Sequence, residues 1–241
     1  MEVCGTEAGN PAQANNWRIL GLSGTIRQNK AMTTLDPKHL AEISKTPAEA
    51  WQALVSGNRR FVEGTREHPH QDADRRQFVA AGQRPFAIVF GCSDSRVAAE
   101  IVFDRGLGDL FVVRTAGHIL DSAVLGSLEF GVIKLEIPLL VVLGHDSCGA
   151  IETAMKAMAS GKMPRGYIRD VAERVMPAVV RARPGAGSEE TSTAHIMDTV
   201  QLIRRRSAAI ARRIKSGHCA VIGVSYTLAE GTARLITPGP A

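Results

Sequence analysis

Pro138-Leu139-Leu140-Val141-Val142-Leu143-Gly144 is an unbroken apolar run closed by a glycine, and His145-Asp146-Ser147-Cys148 follows it directly. A run with no polar face reads as a strand covered on both sides, the condition of a central strand in a parallel sheet. A second such run, Phe86-Ala87-Ile88-Val89-Phe90-Gly91, leads into Cys92-Ser93-Asp94-Ser95-Arg96. Both polar motifs therefore fall at the carboxyl ends of strands, where open α/β sheets place their ligands.

Working outward, the chain alternates. Residues 97–103 predict a short helix and 110–114 a strand. Residues 121–135 carry Leu125, Leu128, Val132 and Leu135 at helical spacing. A helix over 148–159 and another over 164–181 follow, then a loop over 184–192. Ile196, Val200, Ile203, Ile210 and Ile214 predict one long helix ending at Gly217, and residues 220–225 and 232–236 read as strands joined by Ala229-Glu230-Gly231. The alternation predicts an α/β fold with a mostly parallel central sheet flanked by helices.

Upstream, Thr46-Pro47-Ala48-Glu49 combines an N-cap, a proline at the first helical position and a capping-box glutamate. It opens a helix over 46–62 whose apolar face, with Trp51, Leu54, Val55, Phe61 and Val62, predicts packing on the domain or on a second subunit. A second helix covers 72–81. Residues 1–31 show no sustained periodicity and read as a disordered arm or an extension, with Met32 as an alternative start. Residues 32–241 read as a single domain, with N-terminal helices over 46–81 and the metal-binding α/β core over 86–241.

The net charge of +5 comes from dispersed basic residues. The densest group, Arg204-Arg205-Arg206 with Arg212-Arg213, lies in a helical pattern without interleaved aromatics and reads as a solvated face, so no nucleic-acid partner is expected. No segment approaches the roughly 18 consecutive apolar residues of a membrane span. Ile19-Leu20-Gly21-Leu22 is too short for a signal-peptide core, so a cytoplasmic protein is expected. In that setting the four cysteines point to metal binding or catalysis before disulfides. Cys219 sits in an apolar run and reads as a core thiol; Cys4 lies in the tail.

Cys92, His145 and Cys148 supply two thiolates and an imidazole, a donor set that suits Zn²⁺. Three protein ligands leave one position for water, which points to hydration or hydrolysis by a zinc-bound hydroxide. Two thiolates cancel the charge of the ion, so that water needs a polar group to manage its proton. Asp94 is placed to accept a hydrogen bond from it, and Arg96 to pair with Asp94 and keep it ionised. Freed from Arg96, Asp94 is expected to become a conditional fourth metal ligand at low pH.

The Cys-Ser-Asp-Ser-Arg motif, the His-x-x-Cys-Gly run and their separation of some 50 residues resemble the β-class carbonic anhydrases, over most of the chain from about residue 46. The resemblance implies zinc held by Cys92, His145 and Cys148, and Asp94–Arg96 as a dyad controlling the fourth zinc position. It implies reversible hydration of carbon dioxide to bicarbonate and a proton. It also implies N-terminal helices that pack on a partner subunit in a homodimer or tetramer. Gln83, nine residues before Cys92, matches a glutamine that binds substrate across the dimer interface in plant-like members. Another subgroup binds inhibitory bicarbonate with an arginine, matched by Arg114, and a tryptophan, where this chain has Val89; the plant-like pocket is therefore favoured. Phe103 and Val97 are candidate pocket walls, and His118 reads as an exposed or satisfied structural histidine before a proton shuttle. Two other activities remain open at this point: hydrolysis of a carbon dioxide analogue such as carbonyl sulfide, and a non-catalytic zinc protein.

Overall fold

Strands β1 (Ala87–Cys92) and β3 (Leu139–His145) are buried along their whole length, as two apolar runs require. In the computed structural model, which describes residues 46–183 and 185–240, they pair in parallel from Ala87 opposite Leu139 to Gly91 opposite Leu143. Strand β2 (Leu110–Thr115) joins the outer side of β1 and is only half-buried, as an edge strand is. Strand β4 (Ala220–Thr227) lies parallel on β3, and β5 (Thr232–Leu235) closes the sheet antiparallel to β4. The order β2-β1-β3-β4-β5 reverses direction between β1 and β3. That reversal opens the crevice in which doubly wound sheets bind ligands.

Each strand feeds two cores because successive side chains point to opposite faces. Leu139, Val141 and Leu143 of β3 join Trp51, Leu54, Val102 and Phe103 on one face. Leu140 and Val142 join Leu128, Val132, Ile196, Val200 and Ile203 on the other. Helix α1 (Pro47–Glu63) starts with the expected capping box, the Glu49 N–H donating to Thr46 Oγ1 and the Thr46 N–H to Glu49 Oε2, and ends on left-handed Gly64. Its apolar stripe packs on its own chain: Ala50 and Leu54 are fully buried in the core. Asn58 pins the helix by donating to the Val102 and Gly231 carbonyls and accepting from the Ala233 N–H. Val55 and Val62 of the same stripe remain exposed.

Gly57 of α1 crosses Phe103 so closely that an added Cβ would lie 1.8 Å from the Phe103 carbonyl oxygen. Gly57→Ala gains helix propensity of about 1 kcal/mol. The backbone clash opposes it, because neither helix nor carbonyl can move without breaking the Asn58 bonds. The expected net result is a loss of about 1–3 kcal/mol in denaturant unfolding; unchanged or raised stability would show that α1 does not press on Phe103.

Several elements differ from the sequence reading. Helix α2 (Ala73–Val79) and α3 (Ala99–Val102) are shorter than their patterns. Helix α4 (Ser122–Glu129), capped by Asp121, passes into a π-helical turn at Phe130–Lys134, where Gly131 lies against Ile88 of β1; a Cβ there would come within 2.6 Å of Ile88 Cδ1. The largest difference follows α5 (Gly149–Ser160) and α6 (Ile168–Arg181). The expected loop is non-helical at residues 185–187 but gives way to helix at Ser188, and the expected long helix is two, α7 (Ser188–Arg206) and α8 (Ala208–Lys215), parted at Ser207. Ser207 caps α8 by accepting from the Ile210 N–H, and its hydroxyl donates to Glu129. The first turns of α7 bury Thr191, Ser192 and His195, so the helix hides a polar face that hydrophobic periodicity does not register. No helix among the described residues is long and apolar enough to cross a membrane. The expected arm at residues 1–31, Met32 and Cys4 lie outside the described residues.

Candidate metal centre

The sheet brings the two motifs together at the β1–β3 crevice. Cys92 is the last residue of β1, His145 the last of β3, and Cys148 the N-cap of α5. Their donor atoms all lie within 4.8 Å of one another, and all three residues are buried. His145 Nδ1 lies 2.7 Å from the Asp146 carbonyl oxygen. A carbonyl only accepts, so Nδ1 carries the proton and Nε2 presents its lone pair. That Nε2 is buried and has no hydrogen-bond partner. A buried acceptor is left unpaired only at a cost of about 1–3 kcal/mol, and here it faces two sulfurs. The arrangement fits a thiophilic dication held by Cys92, His145 and Cys148, with the His145 tautomer already set by its outer bond.

The electrostatics agree. The Cys148 thiol donates to Cys92, and this, with His145, holds the Cys92 thiol well below its ordinary range despite burial. The same shared proton pushes Cys148 up. Burial opposes charge on His145, yet the Cys92 thiolate and Asp94 raise it overall. The cluster gathers groups whose charge suits a bound cation.

Asp94 and Arg96 form the predicted pair. Arg96 Nε donates to Asp94 Oδ1 at 2.9 Å and Nη2 to Oδ2 at 2.7 Å, a two-pronged bond, while the Arg96 N–H also donates to Oδ1. The Arg96 guanidinium holds the Asp94 carboxyl well below the usual carboxylate range. Arg96 Nη2 also donates to the Ser147 carbonyl, tying the first motif to the second. Asp94 Oδ2 sits 4.0 Å from His145 Nε2, beside the donor cluster.

Other candidates take different places. Gln83 is exposed in the segment before β1. Roughly 17 Å of strand separates that end of β1 from Cys92, so Gln83 does not reach the donors of its own chain. Arg114 donates to the Cys92 carbonyl at 2.8 Å and to the Asp94 carbonyl at 2.6 Å, bracing the loop that presents both side chains. Val89 is buried in the sheet core. Phe103 and Val97 also go to the core beneath α1 and α3. The apolar residues clustered with Cys92 and Cys148 are Ile151, Ala154, Ala172 and Val175. Cys219 is the expected core thiol, pushed up to about 12 by burial.

His118 is neither exposed nor satisfied. It is 1% exposed, and neither ring nitrogen has a partner. Its ring lies 4.4 Å from that of His195 on α7, centroid to centroid. Burial, then the neighbouring His195 and His145, push its pKa well below the ordinary imidazole value. Two further α7 side chains support the centre: Ser192 donates to the His145 carbonyl and His195 Nε2 to the Gly117 carbonyl. Reading residues 184–192 as a loop hid Ser192, and His195 had no signal of its own, since its partner is a backbone carbonyl 78 residues away.

A mostly parallel α/β sheet with two cysteines and a histidine at its switch point, beside a carboxylate–guanidinium pair, defines a metal-dependent hydrating or hydrolytic enzyme. Residues 87–233 match the model of the carbonic anhydrase family. Carbonic anhydrase 2 of Mycobacterium tuberculosis is 54% identical over 191 residues, which is 78% of this chain and 92% of that protein. Among solved structures, the β-carbonic anhydrase CcaA superposes with a TM-score of 0.62 at 24% identity, over 78% of this chain and 92% of that one. One of two tetrameric β-carbonic anhydrases from Sordaria macrospora superposes at 0.61 with 20% identity, over 79% and 98%. The chain belongs to the carbonic anhydrase family, and its fold is that of the β class.

Proposed function

We propose that this carbonic anhydrase uses zinc, held by Cys92, His145 and Cys148, to interconvert carbon dioxide and bicarbonate. The observation that carries the metal is the buried, unpartnered Nε2 of His145 among two cysteine sulfurs. Bound zinc supplies a water acidic enough to act as a nucleophile near neutral pH.

The chain's residues do the rest. Asp94 is an acceptor only, because Arg96 keeps it ionised. Its Oδ2 takes one bond from Arg96 and keeps lone-pair capacity toward the donor cluster. There it accepts the proton-bearing side of the reacting water and turns a lone pair toward carbon dioxide. Arg96 fixes the carboxylate in that pose; where the pairing breaks, at low pH, Asp94 would become a fourth ligand. Since Asp94 is ionised across the working range, its protonation does not set the pH profile; loss of a proton by the reacting water does, and activity rises toward alkaline pH.

Gln83 is assigned to substrate binding in the site of a partner subunit, the plant-like arrangement. Its exposure, and its distance along β1 from its own donors, support a role across an interface. A homodimer or tetramer follows, in keeping with the tetrameric relative of like fold. A reducing cytoplasm suits a site built on two free thiols.

Stopped-flow carbon dioxide hydration across pH, on protein of measured zinc content, tests the reading. Fast turnover that increases with pH is the expected result. Zinc-loaded protein without turnover at any pH would overturn it.

A further inference from the structure

Gly117 links the donor cluster to a buried pair of histidines. Its N–H points at Cys92 Sγ, with N and S 3.3 Å apart. Its backbone is left-handed, at φ 64° and ψ 24°. A Cβ there would meet Ala150 Cβ of α5 at 2.6 Å, so the position needs glycine on two counts. The carbonyl of the same residue accepts from His195 Nε2 at 2.8 Å. Because a carbonyl cannot donate, His195 must carry its proton on Nε2. Burial holds His195 neutral, with its pKa lowered, and the His118 ring lies against it.

We propose that His195 is a positioning residue for the metal centre: by clamping the Gly117 carbonyl it fixes the Gly117 N–H on Cys92 Sγ and draws electron density from that metal-ligating sulfur. The inference rests on the zinc reading above and extends it to α7. The chemistry gives the device a purpose. Two thiolates leave a zinc ion with little net charge to acidify water. A hydrogen bond to one sulfur withdraws part of that donation. Outer hydrogen bonds of this kind orient ligands and tune the metal. With φ and ψ of Gly117 confined by α5 on one side and His195 on the other, the N–H cannot turn away. His118 contributes a ring and no hydrogen bond, so the directional contact is that of His195 alone.

The test uses full-length protein loaded with Co²⁺ in place of zinc, read by its thiolate-to-cobalt charge-transfer absorption. His195→Phe keeps a ring and removes the donor. The band is expected to move to longer wavelength, because a sulfur relieved of its hydrogen bond gives up its electron more easily. His195→Gln, whose amide nitrogen reaches the place of Nε2, is expected to restore the wild-type band. A His195→Phe band identical to wild type overturns the proposal. So does an equal shift in His195→Gln, which would mark a packing effect. If His195→Phe does not fold, His195→Asn, polar but too short to reach the Gly117 carbonyl, takes its place in the comparison, with the same two outcomes. Wild-type protein that takes up no Co²⁺ would instead sink the metal reading itself, which separates the two failures.

Discussion

Cys148→Ser protein is expected to purify with little or no zinc and to lose carbon dioxide hydration by on the order of a thousandfold or more. A serine hydroxyl does not ionise near neutral pH, so the site is left with one thiolate and one imidazole. Without the metal, water keeps a pKa near 15.7, and the nucleophile disappears. The fold should survive, because the substitution is nearly isosteric at the first residue before α5. Metal analysis and stopped-flow assay, with circular dichroism to confirm folding, check the expectation. Full zinc content at wild-type turnover would remove Cys148 from the ligand set.

Arg96→Ala is expected to separate metal binding from catalysis. Arg96 touches no donor atom; its contacts are Asp94 and the Ser147 carbonyl. Zinc content should therefore stay at the wild-type level while activity falls about 10²-fold or more, the scale of losing a positioned acid–base group. Asp94 would still be ionised in solution near neutral pH, since an unpaired aspartate has a pKa near 3.9. What it loses is direction, and a free carboxylate beside a metal coordinates it. Zinc-edge absorption should accordingly report a carboxylate oxygen in place of the water in the variant. Arg96→Lys should not rescue, because an ammonium cannot form the two-pronged bond. Wild-type activity in Arg96→Ala would take the pair out of the mechanism.

Both expectations were legible in the motifs, because their chemistry is local. Asp94 and Arg96 stand two residues apart, and the turn between them brings the carboxylate onto the guanidinium. The strands were equally legible. A run such as residues 138–144 has no alternative to burial on both faces, and its carboxyl end had to carry the chemistry. The first turns of helix α7, from Ser188, were not legible from the same rules, although Ile196, Val200 and Ile203 announced the rest of it. Thr191, Ser192 and His195 face inward although each is polar, and periodicity counts only apolar residues. Helix α1 had a readable apolar stripe but no readable destination. Its destination is the chain's own core, fixed by Asn58 bonds to Val102, Gly231 and Ala233.

The sequence by itself determined the sheet and the carboxylate–guanidinium pair, because each depends on residue type and short spacing, and it named the donor set by residue type at two strand ends. Only the tertiary structure decided that Arg114 braces the Cys92–Asp94 loop, that Phe103 and Val97 belong to the core, and that His195 reaches Cys92 through Gly117. Those contacts join groups far apart in the chain and pass largely through backbone carbonyls and N–H groups. Every residue carries the same backbone, so no choice of side chain announces which carbonyl will be met, and only the packed fold selects it.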